Sequence, residues 1–162
     1  MVKYLFLFVL LTSFLSCKEG TAKKAGSSSI MSKYAPLSSE LISEYNKNVT
    51  SVDLISLKKE VNVSMNFDNA QAVQYVISFI GNEPGIVDNL CKPDGHIVLF
   101  NNGELINEAD IYFSSNCNAM VWMTNQQPTN CNNLTPEGVD FYKNFLKPRN
   151  NSDLDSLKAA NK

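Results

Sequence analysis

Residues 95–124 read GHIVLFNNGELINEADIYFSSNCNAMVWMT, and this stretch decides the fold. Asn102-Gly103 lies between two runs rich in β-branched and aromatic residues. Asn-Gly is the favoured pair for a two-residue type I′ turn, because both central residues take positive φ. Such a turn sets Asn101 against Glu104, and hence Phe100 against Leu105, Val98 against Asn107 and His96 against Ala109. A second reversal at Ser114-Ser115-Asn116-Cys117 brings the chain back, with Ile111 opposite Met120 and Ala109 opposite Trp122. One face then collects His96, Val98, Phe100, Leu105, Ala109, Ile111, Phe113, Met120 and Trp122, which is the expected core. The other carries Ile97, Leu99, Ile106, Tyr112, Ala119, Val121 and Met123, with Glu108 and Asp110 among them. A sheet with one wet side alternates more cleanly than this. The second face is therefore either covered by the chain itself or a partner surface, with Ile97, Leu99, Ile106, Tyr112 and Val121 as its candidate residues.

Outward from the hairpin, the pattern turns helical. Ser38-Ser39-Glu40 can cap a short helix that sets Leu41, Ile42 and Tyr45 on one face. Residues 61–67 alternate apolar and polar, a strand signature. Asp68 then caps a helix over 69–80 whose apolar residues surround most of its circumference, which predicts burial; residues 81–85 end it. Thr135 caps a last helix with Pro136 at its first position, where a missing N–H costs nothing, and Pro148 stops it. Val139, Tyr142, Phe145 and Leu146 form its apolar stripe. These elements predict an α+β domain: a meandering antiparallel sheet of three to four strands with helices on one face. The Asn clusters, including 130–133, read as chain reversals, since Asn bonds its own backbone in turns.

The chain has 162 residues, 44% apolar and 19% charged, with net charge −2. That is the composition of a globular domain, and its dispersed lysines give no reason to expect nucleic acid. The first twenty residues are different in kind. Lys3 is followed by an apolar run over 4–11 and then by Phe14-Leu15-Ser16-Cys17 and the polar Lys18-Glu19-Gly20. This is the plan of a secretory signal too short to span a membrane. With a cysteine just after the cut it resembles the lipobox of bacterial lipoproteins, although Phe14 and Leu15 depart from the usual residues at the first two places. The resemblance covers residues 1–20 and implies diacylglycerol and palmitate on Cys17. Lys18 in place of the retention-type Asp implies the outer membrane of a Gram-negative bacterium. The implied organisation is a signal at 1–16, a Gly/Ser/Lys tether at 17–35, one domain at 36–148 and a polar tail at 149–162.

Export permits disulfides, and three of the four cysteines remain after Cys17. Extending the hairpin backwards puts Cys91 opposite Ser114, beside the turn that holds Cys117. Cys131 falls about 17 Å from Cys117 along the strand, beyond bridging reach. Cys91–Cys117 is the favoured pair, ahead of Cys117–Cys131. Its closure is worth about 3 kcal/mol in the chain-entropy model.

For chemistry the sequence offers one histidine, His96. A Cys131/His96 nucleophile pair is one reading; an imidazole at the core or rim and an unrelated thiol is the simpler one. Glu108 and Asp110 share a strand face and could serve acid–base work, or be a solvated surface. There is no HExxH, CxxC, GxSxG, phosphate loop or calcium loop, so no metal or cofactor is expected. Asn48, Asn62, Asn133 and Asn150 stand in Asn-x-Ser/Thr triplets that carry little meaning in a bacterial envelope protein. Asp155-Ser156-Leu157 resembles a bacterial O-glycosylation acceptor at Ser156, though helix capping by Ser152 or Asp153 is the simpler reading. The expected function is a non-enzymatic envelope lipoprotein, held to the membrane by lipid and binding an envelope partner, inhibitor-like or accessory. A small hydrolase using Cys131/His96 or Glu108/Asp110 is the alternative from another class; a structural subunit of an envelope complex is the third.

Overall fold

The computed structural model describes residues 34–147. The expected signal, Cys17, most of the tether, Pro148, Ser156 and the tail lie outside them. The order is α1 (Ser39–Asn48), β1 (Ser51–Ser56), β2 (Ser64–Phe67), α2 (Ala70–Ile77), β3 (Ile80–Pro84), β4 (Gly95–Asn101), β5 (Glu104–Tyr112), β6 (Ala119–Thr124), β7 (Gln127–Leu134) and α3 (Pro136–Phe145). The class is α+β, and the sheet is larger than the three to four strands expected. All seven strands pair antiparallel in the order β2-β1-β4-β5-β6-β7-β3.

The extra strands come from segments whose signals are weak or were read otherwise. Alternation in β1 buries Val52 and Leu54. β7 is the Asn-rich segment expected to turn. The reversal before it is instead Asn125-Gln126, at φ 50° and 63°. β3 follows α2 directly, so the helix ends at Ile77, and Phe79 and Ile80 are buried beyond it. Asn69, not Asp68, caps α2, its side chain accepting from the Gln71 and Ala72 N–H groups. The other caps are as read: Ser38 accepts from Leu41 N–H and Thr135 from Gly138 N–H.

The three helices lie on one face. Their buried residues, among them Ile42, Tyr45, Val73, Val76, Ile77, Tyr142 and Phe145, pack against Val52, Leu54, Ile97, Leu99, Ala109, Ile111, Met120 and Trp122. Gly138 lets α3 close on Phe79, just before β3: a Cβ there would stand 2.6 Å from the Phe79 Cβ. The opposite face has a smaller cluster of Val87, Ala119, Val121 and Cys131, with Tyr34, Cys91, Tyr112 and Met123 against it. Tyr34 and Ala35, expected as tether, belong to the domain; the Ala35 carbonyl accepts from Cys131 N–H at 3.1 Å. No helix among the described residues is long and apolar enough to cross a membrane.

Candidate functional site

The first hairpin forms as its turn residues dictate, with Asn102 at φ 50° and Gly103 at φ 86°. Asn101 faces Glu104 and Phe100 faces Leu105. Beyond them the register slips: Leu99 faces Asn107, Val98 faces Glu108, Ile97 faces Ala109 and His96 faces Asp110. Ile106 is the extra residue, a β-bulge. Both Ile106 and Asn107 then face the helices, where Ile106 packs against the main core and the Asn107 amide donates to the Tyr45 hydroxyl at 2.7 Å.

Because side chains alternate along a strand, one extra residue exchanges the faces of everything before it. Ile97 and Leu99 enter the core at 1% and 0% exposure, while His96, Val98 and Phe100 pass to the second face. The five candidate partner residues consequently do not form one surface. Ile97 and Leu99 are core, Ile106 packs under α1, and Val121 and Tyr112 belong to the small cluster beneath Val87. The core residues read correctly on β5 and β6 are those beyond the bulge: Ala109 opposite Trp122 and Ile111 opposite Met120.

The second face is divided. Its β6–β7 half is covered by Val87 from the loop 85–94 and by Tyr34. That loop is tied to the sheet by the Ile86–Asn118 bridge and by the Cys91–Cys117 disulfide, with Cα atoms 6.5 Å apart. The pairing is the one favoured from the sequence. The β1–β4–β5 half exposes Ile55 at 39% and Leu105 at 59%, with Val98 and Phe100 half-buried between them.

At the centre of this half stands His96. Its Nδ1 is 2.8 Å from Asp110 Oδ1 on the facing strand, and its Nε2 is 3.5 Å from Glu108 Oε2. The Asp110 hydrogen bond, with help from both carboxylate charges, raises the imidazole pKa against the opposing effect of burial. The bulge creates this cluster; in the bulge-free register His96 would face Ala109. No family model, curated protein or solved structure matches the chain.

The thiol expected as a possible partner of His96 is elsewhere. Cys131 is fully buried opposite Val121. The pairings His96–Asp110, Asp110–Val121 and Val121–Cys131 put three strand spacings, about 14 Å, between imidazole and thiol. Burial pushes the Cys131 pKa up to about 11, so the group is a neutral thiol at neutral pH. The Asp88 carboxylate and the sulfurs of Cys91 and Cys117 lie within 4.8 Å of one another. With both sulfurs joined in the disulfide, only the carboxylate remains as a hard donor.

Two buried polar residues escaped sequence reasoning. Asn132 accepts at Oδ1 from Leu37 N–H and from Trp122 Nε1–H, both at 2.9 Å, and donates to the Gly81 carbonyl at 2.8 Å. Asp94 accepts from Phe113 N–H, Ser114 N–H and the Ser114 hydroxyl, and pairs with Lys58 Nζ at 3.1 Å. In the sequence Asn132 stands among asparagines and Asp94 between Pro93 and Gly95, contexts that turns share.

Proposed function

We propose that this chain is an exported lipoprotein, anchored through Cys17, whose domain binds an envelope partner through the uncovered half of its sheet. The carrying observation is the division of that face. One half is sealed by a disulfide-held loop, and the other presents Ile55, Val98, Phe100 and Leu105 around the His96–Asp110–Glu108 cluster. Apolar residues around a paired charge give both desolvation and orientation to a docking protein.

The N-terminal sequence supports the address. Ser16-Cys17 ends a short apolar run, and the chain enters the domain at Tyr34, on the sealed half of the sheet. Tyr34 occupies the β6–β7 side, and the uncovered β1–β4–β5 half is left for a partner. The chemistry of the site favours binding over hydrolysis. Cys131 is buried and neutral, about three strands from His96, and the imidazole is paired with Asp110 and Glu108 with no nucleophilic side chain in hydrogen-bond contact with it.

Isolation of membranes with their bound proteins tests both parts. Cys17→Ser is expected to leave the membrane fraction and to lose lipid labelling. Leu105→Asp is expected to stay in the membrane fraction but to lose its co-purifying partner. A Cys17→Ser protein that still floats with membranes, or a Leu105→Asp protein that keeps the partner, would contradict the proposal.

A further inference from the structure

On the far side of the molecule, α2 and α3 leave a groove of about 760 Å³ between them. Its volume falls within the range of small-molecule sites. Tyr75, Phe141 and Phe145 make its floor, and Glu137 and Asp140 stand on its wall. The floor is built on an aromatic array. Tyr75 meets Phe79 edge-on at 4.7 Å and stands at 90° to Phe141 at 6.1 Å, and Phe141 runs parallel to Phe145 at 6.0 Å. Phe79 and Tyr142 hold Phe141 from behind, at 5.0 and 5.4 Å. Tyr75 is nonetheless 45% exposed, a large ring left in the open on the solvent side of α2.

The charge in this groove has one sign. Glu137 and Asp140 stand one helical turn apart on α3, both exposed, and Glu137 raises the pKa of the neighbouring Tyr75 hydroxyl. No lysine or arginine lines it among the described residues. Aromatic faces are negative at their centres, so floor and wall both attract a cation, and the apolar floor rewards a hydrophobic body attached to it. An anion is disfavoured by the two carboxylates and the aromatic faces.

We propose that the α2–α3 groove is a binding site for an organic cation, an ammonium group carried on an aromatic or aliphatic body. The ammonium sits between the Glu137 and Asp140 carboxylates and the Tyr75 ring, and the body lies on Phe141 and Phe145. This site is separate from the sheet face and does not depend on the partner proposed there.

Three probes of nearly equal shape isolate the charge: 2-phenylethylammonium, 2-phenylethanol and 3-phenylpropionate, each titrated into the full-length chain while the NMR signals of Tyr75, Phe141 and Asn144 are followed. The ammonium is expected to bind about tenfold more tightly than the alcohol, which is the scale of one cation–π contact with a carboxylate beside it. The propionate is expected to bind most weakly of the three. Glu137→Gln with Asp140→Asn should bring the ammonium down to the alcohol's affinity, and Tyr75→Ala should weaken both. Equal binding of all three probes, saturable shifts only elsewhere on the molecule, or no saturable shift at these signals would overturn the proposal. So would ammonium binding that appears only after Arg149, Lys158 and Lys162 are changed to Gln, which would give the groove to the chain's own C-terminal segment.

Discussion

Asn132 shows how far one side chain can hold distant parts of a fold together. Its fully buried amide joins the N-terminal segment at Leu37, the indole of Trp122 on β6 and the carbonyl of Gly81 on β3. Removing it would leave two donors and an acceptor buried without partners, each a loss of about 1–3 kcal/mol. Asn132→Ala is therefore expected to destabilise by about 3 kcal/mol or more in urea unfolding; a loss below about 1 kcal/mol would contradict this account. In the sequence Asn132 is one of three Asn residues around Cys131, and all read as turn formers. What distinguishes it is the company it keeps after folding. His96 is the second case. Its pKa is raised in the folded state above the ordinary 6.5, chiefly by Asp110. The resulting stability is fully present below 6.5 and is lost as pH rises through the folded value. Stability of the wild type should therefore fall with rising pH in that window, and His96→Gln should lack this slope. The same slope in both proteins would place its cause elsewhere.

At the scale of the element, the β5 bulge separates what the sequence shows from what it hides. The hairpin turn was legible because Asn102-Gly103 specifies its own backbone. The pairing of β5 with β6 was legible because Ala109 opposite Trp122 matches small with large. The bulge was not legible, since the residue that accommodates it is Tyr45, 62 positions away from Asn107. One unseen residue moved Ile97 and Leu99 from a supposed outer face into the core, and His96 out of it. β7 was hidden for another reason: its strand character comes from pairing on both sides, while its composition is that of a loop. A matched pair of substitutions measures the corrected faces. Leu99→Asp puts a charge at a fully buried position and is expected to cost several kcal/mol. Leu105→Asp changes an exposed position and should stay within about 0.5 kcal/mol. Equal losses on thermal unfolding would contradict the face assignment.

The whole molecule has two unlike sides. Three helices cover the core of one side of the sheet, and a single disulfide-held loop closes about half of the other. Tyr34, the first described residue, packs beside that loop on the sealed half, and the open half carries His96. The class of the fold and the disulfide pair were readable from local signals. The size of the sheet was not, because β1, β3 and β7 lie in stretches where polar and apolar residues mix. The most direct test of the open half as the partner surface is site-specific photocrosslinking in the native envelope. A photoreactive residue replacing Leu105 is expected to give one discrete adduct, and the same residue replacing Leu90, 82% exposed on the disulfide loop, is expected to give none. No adduct from position 105, or the same adduct from both positions, would contradict it.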